Sequence, residues 1–299
     1  IRDRGNTVNK ARWGNTKTVQ KAAAVQSQKV ETQTLTVTQT ESEKLKQAQD
    51  SICATLPFTY KLSELVKNIS ASIDSVDSNP LFVSREVRKT LIIVITSNKG
   101  LCGGFNSNII KEVYNISSEY GSNKPDLLTI GKKGDDILKK KFNVISSHND
   151  LFEQFSYLNV KSIASKIMQL YTDEKYDKVI LVYNHFKNAA TQIITKEQFL
   201  PISENTDNNV STSGDYIFEP NRERILEELI PKTLSIQLFK SISDSIAGEH
   251  GARMTAMHKA TDNASELRDQ LKLTYNKARQ TAITNEILEI VGGAEALNS

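Results

Sequence analysis

Residues 221 to 297 read as a single helix of about 75 residues, and at 1.5 Å per residue such a helix spans on the order of 110 Å, far more than a domain of this size can enclose. It must project as a shaft. Its central part carries a heptad seam, with Met257, Ala264, Leu271, Ala278 and Asn285 at one position and Ala260, Leu267, Thr274, Thr281 and Leu288 three residues further on. That seam needs a partner helix. Six of its ten members are small or polar, so the partner is closely approached but only modestly bound, unlike the Leu/Ile zipper of a permanent dimer. Pro220 is acceptable in the first turn, whereas Pro231 predicts a kink or restart, with the shaft proper running from about Lys232. Gly248 and Gly251 each cost about 1 kcal/mol relative to Ala in a helix interior. Either they weaken the rod locally or they allow another segment to pack closely. Gly292-Gly293 predicts the C-terminal stop, with Ala294 to Leu297 as an apolar tip able to continue helically.

Upstream the hydrophobic period changes. Leu91-Ile-Ile-Val-Ile-Thr96 is a β-branched run ending in the glycine-rich loop Lys99-Gly-Leu-Cys-Gly-Gly104, followed by an amphipathic stretch from Asn106 to Tyr120. A second run, Asp126 to Gly131, leads into a charged helix through Lys141. A third helix, Val160 to Tyr171, precedes the strand Lys178 to Tyr183. This alternation implies parallel strands joined by crossover helices. Thr191 to Leu200 predicts an added edge strand closed by Pro201, and Ser203 to Gly214 an exposed polar loop. Nearer the N-terminus, Leu45, Ala48, Ile52, Leu62, Leu65, Val66, Ile69 and Ile73 fit a helical stripe interrupted by Pro57, the natural partner of the C-terminal seam. Before it, Thr32, Thr34, Thr36, Thr38 and Thr40 recur at a strand period that disfavours helix.

Composition narrows the function classes. An apolar share of 38% is low for a wholly compact enzyme and fits a chain with much solvated helix. The net charge is only +3, with Lys and Arg scattered, which argues against nucleic acid as the main ligand. Cys53 and Cys102 make neither a disulfide framework nor a zinc site, and fit a reducing compartment. No apolar run approaches the roughly 18 residues of a membrane span. Any membrane association is therefore through other proteins. No signal-peptide layout opens the chain, although a sequence starting at Ile1 is compatible with trimming.

The loop Gly100 to Gly104 lies where an α/β fold holds phosphate, yet Phe105-Asn106 follows its last glycine where a phosphate loop needs Lys-Ser/Thr. The spacing is not that of a dinucleotide fingerprint either, and the second strand ends in Gly131-Lys132-Lys133 without an acidic residue for a ribose. Turn glycines are the better reading. Cys102 reads as a small packed residue. His148, His185, His250 and His258 show no metal-ligand spacing. Catalytic residues, cofactor and metal are each expected to be absent.

The motif Thr96-Ser-Asn-Lys-Gly-Leu-Cys-Gly-Gly-Phe-Asn-Ser-Asn108 and the tail segments Arg253 to Met257, Ala260 to Ala264, Tyr275 to Gln280, Ala282 to Glu286 and Ile290 to Leu297 resemble the gamma subunit of F-type ATP synthases. The resemblance covers about residues 43 to 299 and includes Glu43 to Gln49, similar to that family's first helix. Ile1 to Arg4 resembles the family's opening, but Gly5 to Ser42 is longer than expected and contains Trp13-Gly14. No contact residue is carried over from that region. The implied fold is α/β plus a long α-helical antiparallel coiled coil, a Rossmann-like α/β domain being inserted between N- and C-terminal helices. The expected divisions are 1–82 for the N-terminal arm, 83–214 for the α/β domain and 215–299 for the long helix.

What the resemblance implies of function is a non-catalytic central rotor stalk that couples ion translocation to ATP synthesis on the beta subunits. Its partners are the alpha and beta subunits of the head, an epsilon-type subunit and the c-ring. Arg279, Gln280, Thr284 and Glu286 are expected to meet the beta subunits, with Gly292, Gly293 and Leu297 at the apolar end bearing. The absence of the cysteine pair inserted in chloroplast members favours a bacterial plasma membrane, cytoplasmic side, with the matrix side of the mitochondrial inner membrane as alternative. Two other readings stay open at this point, a nucleotide-binding enzyme with a coiled-coil appendage and a coiled-coil tether with an α/β head.

Overall fold

The computed structural model describes residues 36, 39–62, 64–65, 80–83, 85–121, 123–202 and 222–298. The chain falls into two compact units, Gln39–Ala256 and the part that includes Met257 onward. In the first unit, helix α1 (residues 39–62) precedes β1 (Thr90–Ile95), α2 (Phe105–Glu119), β2 (Asp126–Ile130), α3 (Lys132–Leu138), β3 (Val144–Ser147), a 3-10 turn (Asp150–Phe152), α4 (Tyr157–Thr172), β4 (Lys178–Phe186) and β5 (Gln192–Leu200). Helix α5 then runs Arg222–Asn298.

Five strands form one sheet in the order β3-β2-β1-β4-β5. The first four are mutually parallel and β5 returns antiparallel along β4. Central β1 is buried along its whole length because both faces are covered, which is why its sequence is continuously apolar rather than alternating. Leu91, Ile93 and Ile95 face α4 and the first turns of α5, packing with Val160, Ile163, Ile167, Leu234, Leu238 and Ile242. Ile92 and Val94 face the other way, onto Phe105, Ile109, Val113 and Ile116 of α2 and Leu138 of α3. The alternate faces of one strand thus nucleate two cores.

Several expectations change in detail. β3 has no counterpart in the sequence reading; only Val144 and Ile145 carry a strand signal, and its half-buried alternation is that of a short edge strand. α3 ends at Leu138, three residues before Lys141, and β4 continues past Tyr183 to Phe186. Neither proline divides its helix. The missing N–H of Pro57 would have met the carbonyl of Cys53, an exposed residue, and that of Pro231 the carbonyl of the exposed Glu227, so water can serve both. Nor does α5 stop at Gly292-Gly293. A glycine stop needs a left-handed residue, and among the described residues the positive-φ glycines are Gly103, Gly121 and Gly131. Thr36 and Thr40 are helical rather than extended.

The apolar stripe of α1 finds a partner other than the expected one. Leu45 and Ile52 pack against Ala247 and Met254, in the part of α5 before Met257. Glu41 contacts His250 while Tyr60 lies against Lys240, so α1 and this part of α5 run antiparallel. Val66, Ile69 and Ile73 of the expected stripe lie outside the described residues. So do Pro220 and Ser203 to Gly214.

Candidate functional site

The loop between β1 and α2 is built from its own side chains. Asn106 at the start of α2 accepts from the Ser97 backbone N–H at 2.9 Å and donates to Ser97 Oγ at 2.7 Å and Cys102 Sγ at 3.2 Å. Ser97 Oγ donates to the Lys99 carbonyl at 2.6 Å. Asn98 bridges outward, accepting from Lys132 N–H and donating to the Asn149 carbonyl. Cys102 is buried inside this knot, as its reading as a packed residue anticipates. Behind it, a Cβ on Gly131 would lie 2.0 Å from the Thr96 carbonyl oxygen, and Gly131 sits at φ +108°, so only glycine lets α3 begin so close to β1.

The carbonyls of Lys99 and Gly100 turn toward α5 and accept from the Arg253 guanidinium at 3.3 and 3.4 Å. A phosphate-binding loop turns backbone N–H groups toward its ligand; here the loop offers acceptors to a cation of its own chain. Arg253 also meets Glu249 one turn back at 2.6 Å and Glu41 of α1 at 3.4 Å, and Glu41 pairs in addition with His250. All three charged groups Glu41, Glu249 and Arg253 are buried. Burial pushes the Glu41 carboxyl up, but the His250 bond and the charges of His250, Arg253 and Lys44 outweigh it and hold it below the usual carboxylate range. Burial likewise works against the Arg253 cation and is outweighed by Glu249 and Glu41. One guanidinium therefore ties together α1, α5 and the β1–α2 loop.

The close packing at this joint accounts for two glycines. A Cβ on Gly251 would stand 2.9 Å from the Ala189 carbonyl oxygen, and one on Gly248 would stand 3.3 Å from both Gln192 Cγ and the Phe105 ring. Close approach, the plainer reading of these glycines, is what the geometry displays. Sequence reasoning missed the joint because Glu41, Glu249, His250 and Arg253 look like ordinary solvated helix charges. The available signal was the i, i+4 pair Glu249 and Arg253 set among small and apolar residues.

In the second unit α5 is solvated. Seam residues Leu267, Leu271 and Leu288 are 57%, 60% and 63% exposed. Arg279, Gln280, Thr284 and Glu286 are exposed, with Thr284 Oγ1 returned to the Gln280 carbonyl at 2.9 Å. At 100° per residue Arg279, Glu286 and Gly293 fall on one stripe, and Gln280 and Thr284 on a neighbouring one. A Cβ on Gly292 or Gly293 would meet nothing within 4 Å. Leu297 lies in the helix. Arg279, Gln280, Thr284, Glu286, Gly292 and Gly293 are thus solvent-exposed positions of the helix.

Comparison with known proteins bears on both regions together. A sequence model of a family described as ATP synthase matches residues 20–297, beginning before the region that carries the resemblance noted above. The ATP synthase gamma chain of Flavobacterium johnsoniae is 56% identical over 255 residues, 85% of this chain and 89% of that protein. That of Christiangramia forsetii is 55% identical over 256 residues, with the same coverage. Among solved structures, the central stalk and c-ring of the Tetrahymena thermophila mitochondrial ATP synthase includes a chain that matches with TM-score 0.61 and 26% identity, over 76% of this chain and 99% of that one. With sheet, loop and long helix all inside the matched span, the chain belongs to the gamma-chain family of ATP synthases.

Proposed function

We propose that this chain is the central rotor stalk of a rotary F-type ATP synthase, a non-catalytic subunit that carries torque between an ion-translocating membrane sector and the catalytic beta subunits. The observation that carries this reading is the 56% identity to a bacterial gamma chain over 255 residues, 85% of this chain and 89% of that protein. The mechanism follows from asymmetry. A rod with different residues on each face gives three equivalent surrounding pockets different contacts, and only a difference in contact free energy shifts a conformational equilibrium. Arg279, Gln280, Thr284 and Glu286 form the face that engages the beta subunits, and Gly292, Gly293 and Leu297 the end bearing. The alpha subunits complete the surrounding head, and the foot engages the c-ring and an epsilon-type subunit.

The non-catalytic assignment is supported by the loop after β1, whose carbonyls are engaged by Arg253 and whose side chains bond to one another. Among the described residues no helix is long and apolar enough to cross a membrane. Attachment through partners at the cytoplasmic face of a bacterial plasma membrane fits the bacterial relatives. Affinity purification of the tagged chain from its native membrane tests the reading. A stoichiometric head of three alpha and three beta subunits is expected with it, and saturable binding of labelled nucleotide by the chain alone, with no such head, would overturn it.

A further inference from the structure

Two of the four histidines bond to buried carboxylates, and both do so across a boundary of α5. His250 on α5 pairs with Glu41 of α1, and His185 on β4 pairs with Asp244 of α5, Nδ1 to Oδ2 at 2.8 Å. Their surroundings differ. Beside that imidazole, Glu41 meets the Arg253 guanidinium, a permanent cation, at 3.4 Å. The Asp244 side chain is only 2% exposed, and its hydrogen bond is with an imidazole that is itself 45% exposed.

The groups that bear on Asp244 come from three elements. From β4 they are His185 and Tyr183, and from β5 it is Glu197, which accepts from the Tyr183 hydroxyl at 2.8 Å. From α5 itself it is Lys240, which lies against the Tyr60 ring of α1. Burial raises the Asp244 carboxyl, His185 and Lys240 lower it, and Glu197 raises it further; the net displacement is upward. A carboxylate hidden at a strand–helix boundary, close to a second carboxylate and answered by an imidazole half in water, is an unstable place for a negative charge.

We propose that Asp244 and His185 form a proton-operated latch between β4 and α5, one that holds the helix on the sheet more firmly when the aspartate carries its proton. The imidazole can donate or accept at Nδ1, so a hydrogen bond is available in either state. What protonation removes is the buried charge. The sign follows from linkage. A folded-state affinity for protons above that of the unfolded chain means that stability falls as pH rises from the ordinary aspartate value of 3.8 through the displaced one. The neighbouring Glu41 pair acts in the opposite sense, and the two can be separated by mutation.

The test is carboxyl carbon NMR of aspartate-labelled full-length chain, with the Asp244 signal assigned by its loss in Asp244→Asn. A titration midpoint above the ordinary aspartate value is expected, and a midpoint at or below that value overturns the latch. Thermal unfolding provides the second arm. Asp244→Asn, neutral at every pH, should lose the part of the wild-type fall in midpoint that begins above pH 3.8; a mutant profile parallel to wild type counts against the proposal. Should that variant not fold, His185→Gln keeps a hydrogen-bonding side chain while removing the ionisable partner. It must then move the Asp244 midpoint further up, and an unmoved midpoint refutes the pairing.

Discussion

Replacing Arg253 with alanine is the perturbation whose cost the structure defines most closely. The guanidinium answers two buried carboxylates, Glu249 at 2.6 Å and Glu41 at 3.4 Å, and satisfies the carbonyls of Lys99 and Gly100. Removing one partner of a buried ion pair typically costs about 3–5 kcal/mol, mostly the penalty of the stranded charge. Each unpaired carbonyl adds about 1 kcal/mol when water cannot reach it. Because these losses share one site they do not add fully, and about 4 kcal/mol is expected for Arg253→Ala. With a denaturant slope of about 2 kcal/mol/M, the urea midpoint should fall by about 2 M at unchanged slope. Glu249→Gln in the Arg253→Ala background should recover part of the loss, because one stranded charge is gone. A loss below about 1 kcal/mol, or no recovery in the double variant, would refute the account of the joint.

Other outcomes follow from the same geometry. Gly251→Ala gains about 1 kcal/mol of helix propensity but drives a methyl to 2.9 Å from the Ala189 carbonyl, so a net loss of urea stability is expected. Gly292→Ala with Gly293→Ala meets open space, so helicity by circular dichroism should rise while the fold is unchanged. Glu41 is held below its ordinary value of 4.5, so the stability it contributes is present above pH 4.5 and is lost as pH falls toward the depressed value. The difference between wild type and Glu41→Gln should accordingly shrink in acid, as read by thermal unfolding. Bulky apolar residues at Gln280 and Thr284 should reduce ATP turnover by the assembled complex while the subunit's own melting is unaffected; unchanged turnover would count against the contact role.

The α/β unit was legible because its inner strands β2, β1 and β4 are largely buried. Leu91 to Ile95 and Val179 to Tyr183 read as continuous apolar runs rich in Val and Ile, and their spacing by helical segments implied parallel pairing. β3 was not legible, since a four-residue edge strand with two apolar side chains has no periodicity to detect. The prolines and glycines of the helices misled for a common reason. Pro57 in α1 and Pro231, Gly292 and Gly293 in the 77-residue α5 carry local penalties of a few kcal/mol at most, which each helix absorbs through its remaining bonds and, at the prolines, through carbonyls that reach water. The Arg253 joint was hidden for the opposite reason, because its charges are separated by 212 residues and only folding brings Glu41 to Arg253. The residues on the exposed stretch of α5 came from resemblance, since solvated helix faces look alike in any one sequence.

The central claim is that this chain turns inside a catalytic head, and the chain supplies a handle for observing it. Cys53 is exposed on α1 whereas Cys102 is buried, so a thiol-reactive tag on the native folded protein should attach at Cys53. A bead carried there, with the alpha–beta head fixed to glass, should rotate in one direction when ATP is added, pausing three times per turn. Steady ATP hydrolysis by that head with a stationary bead would contradict the account.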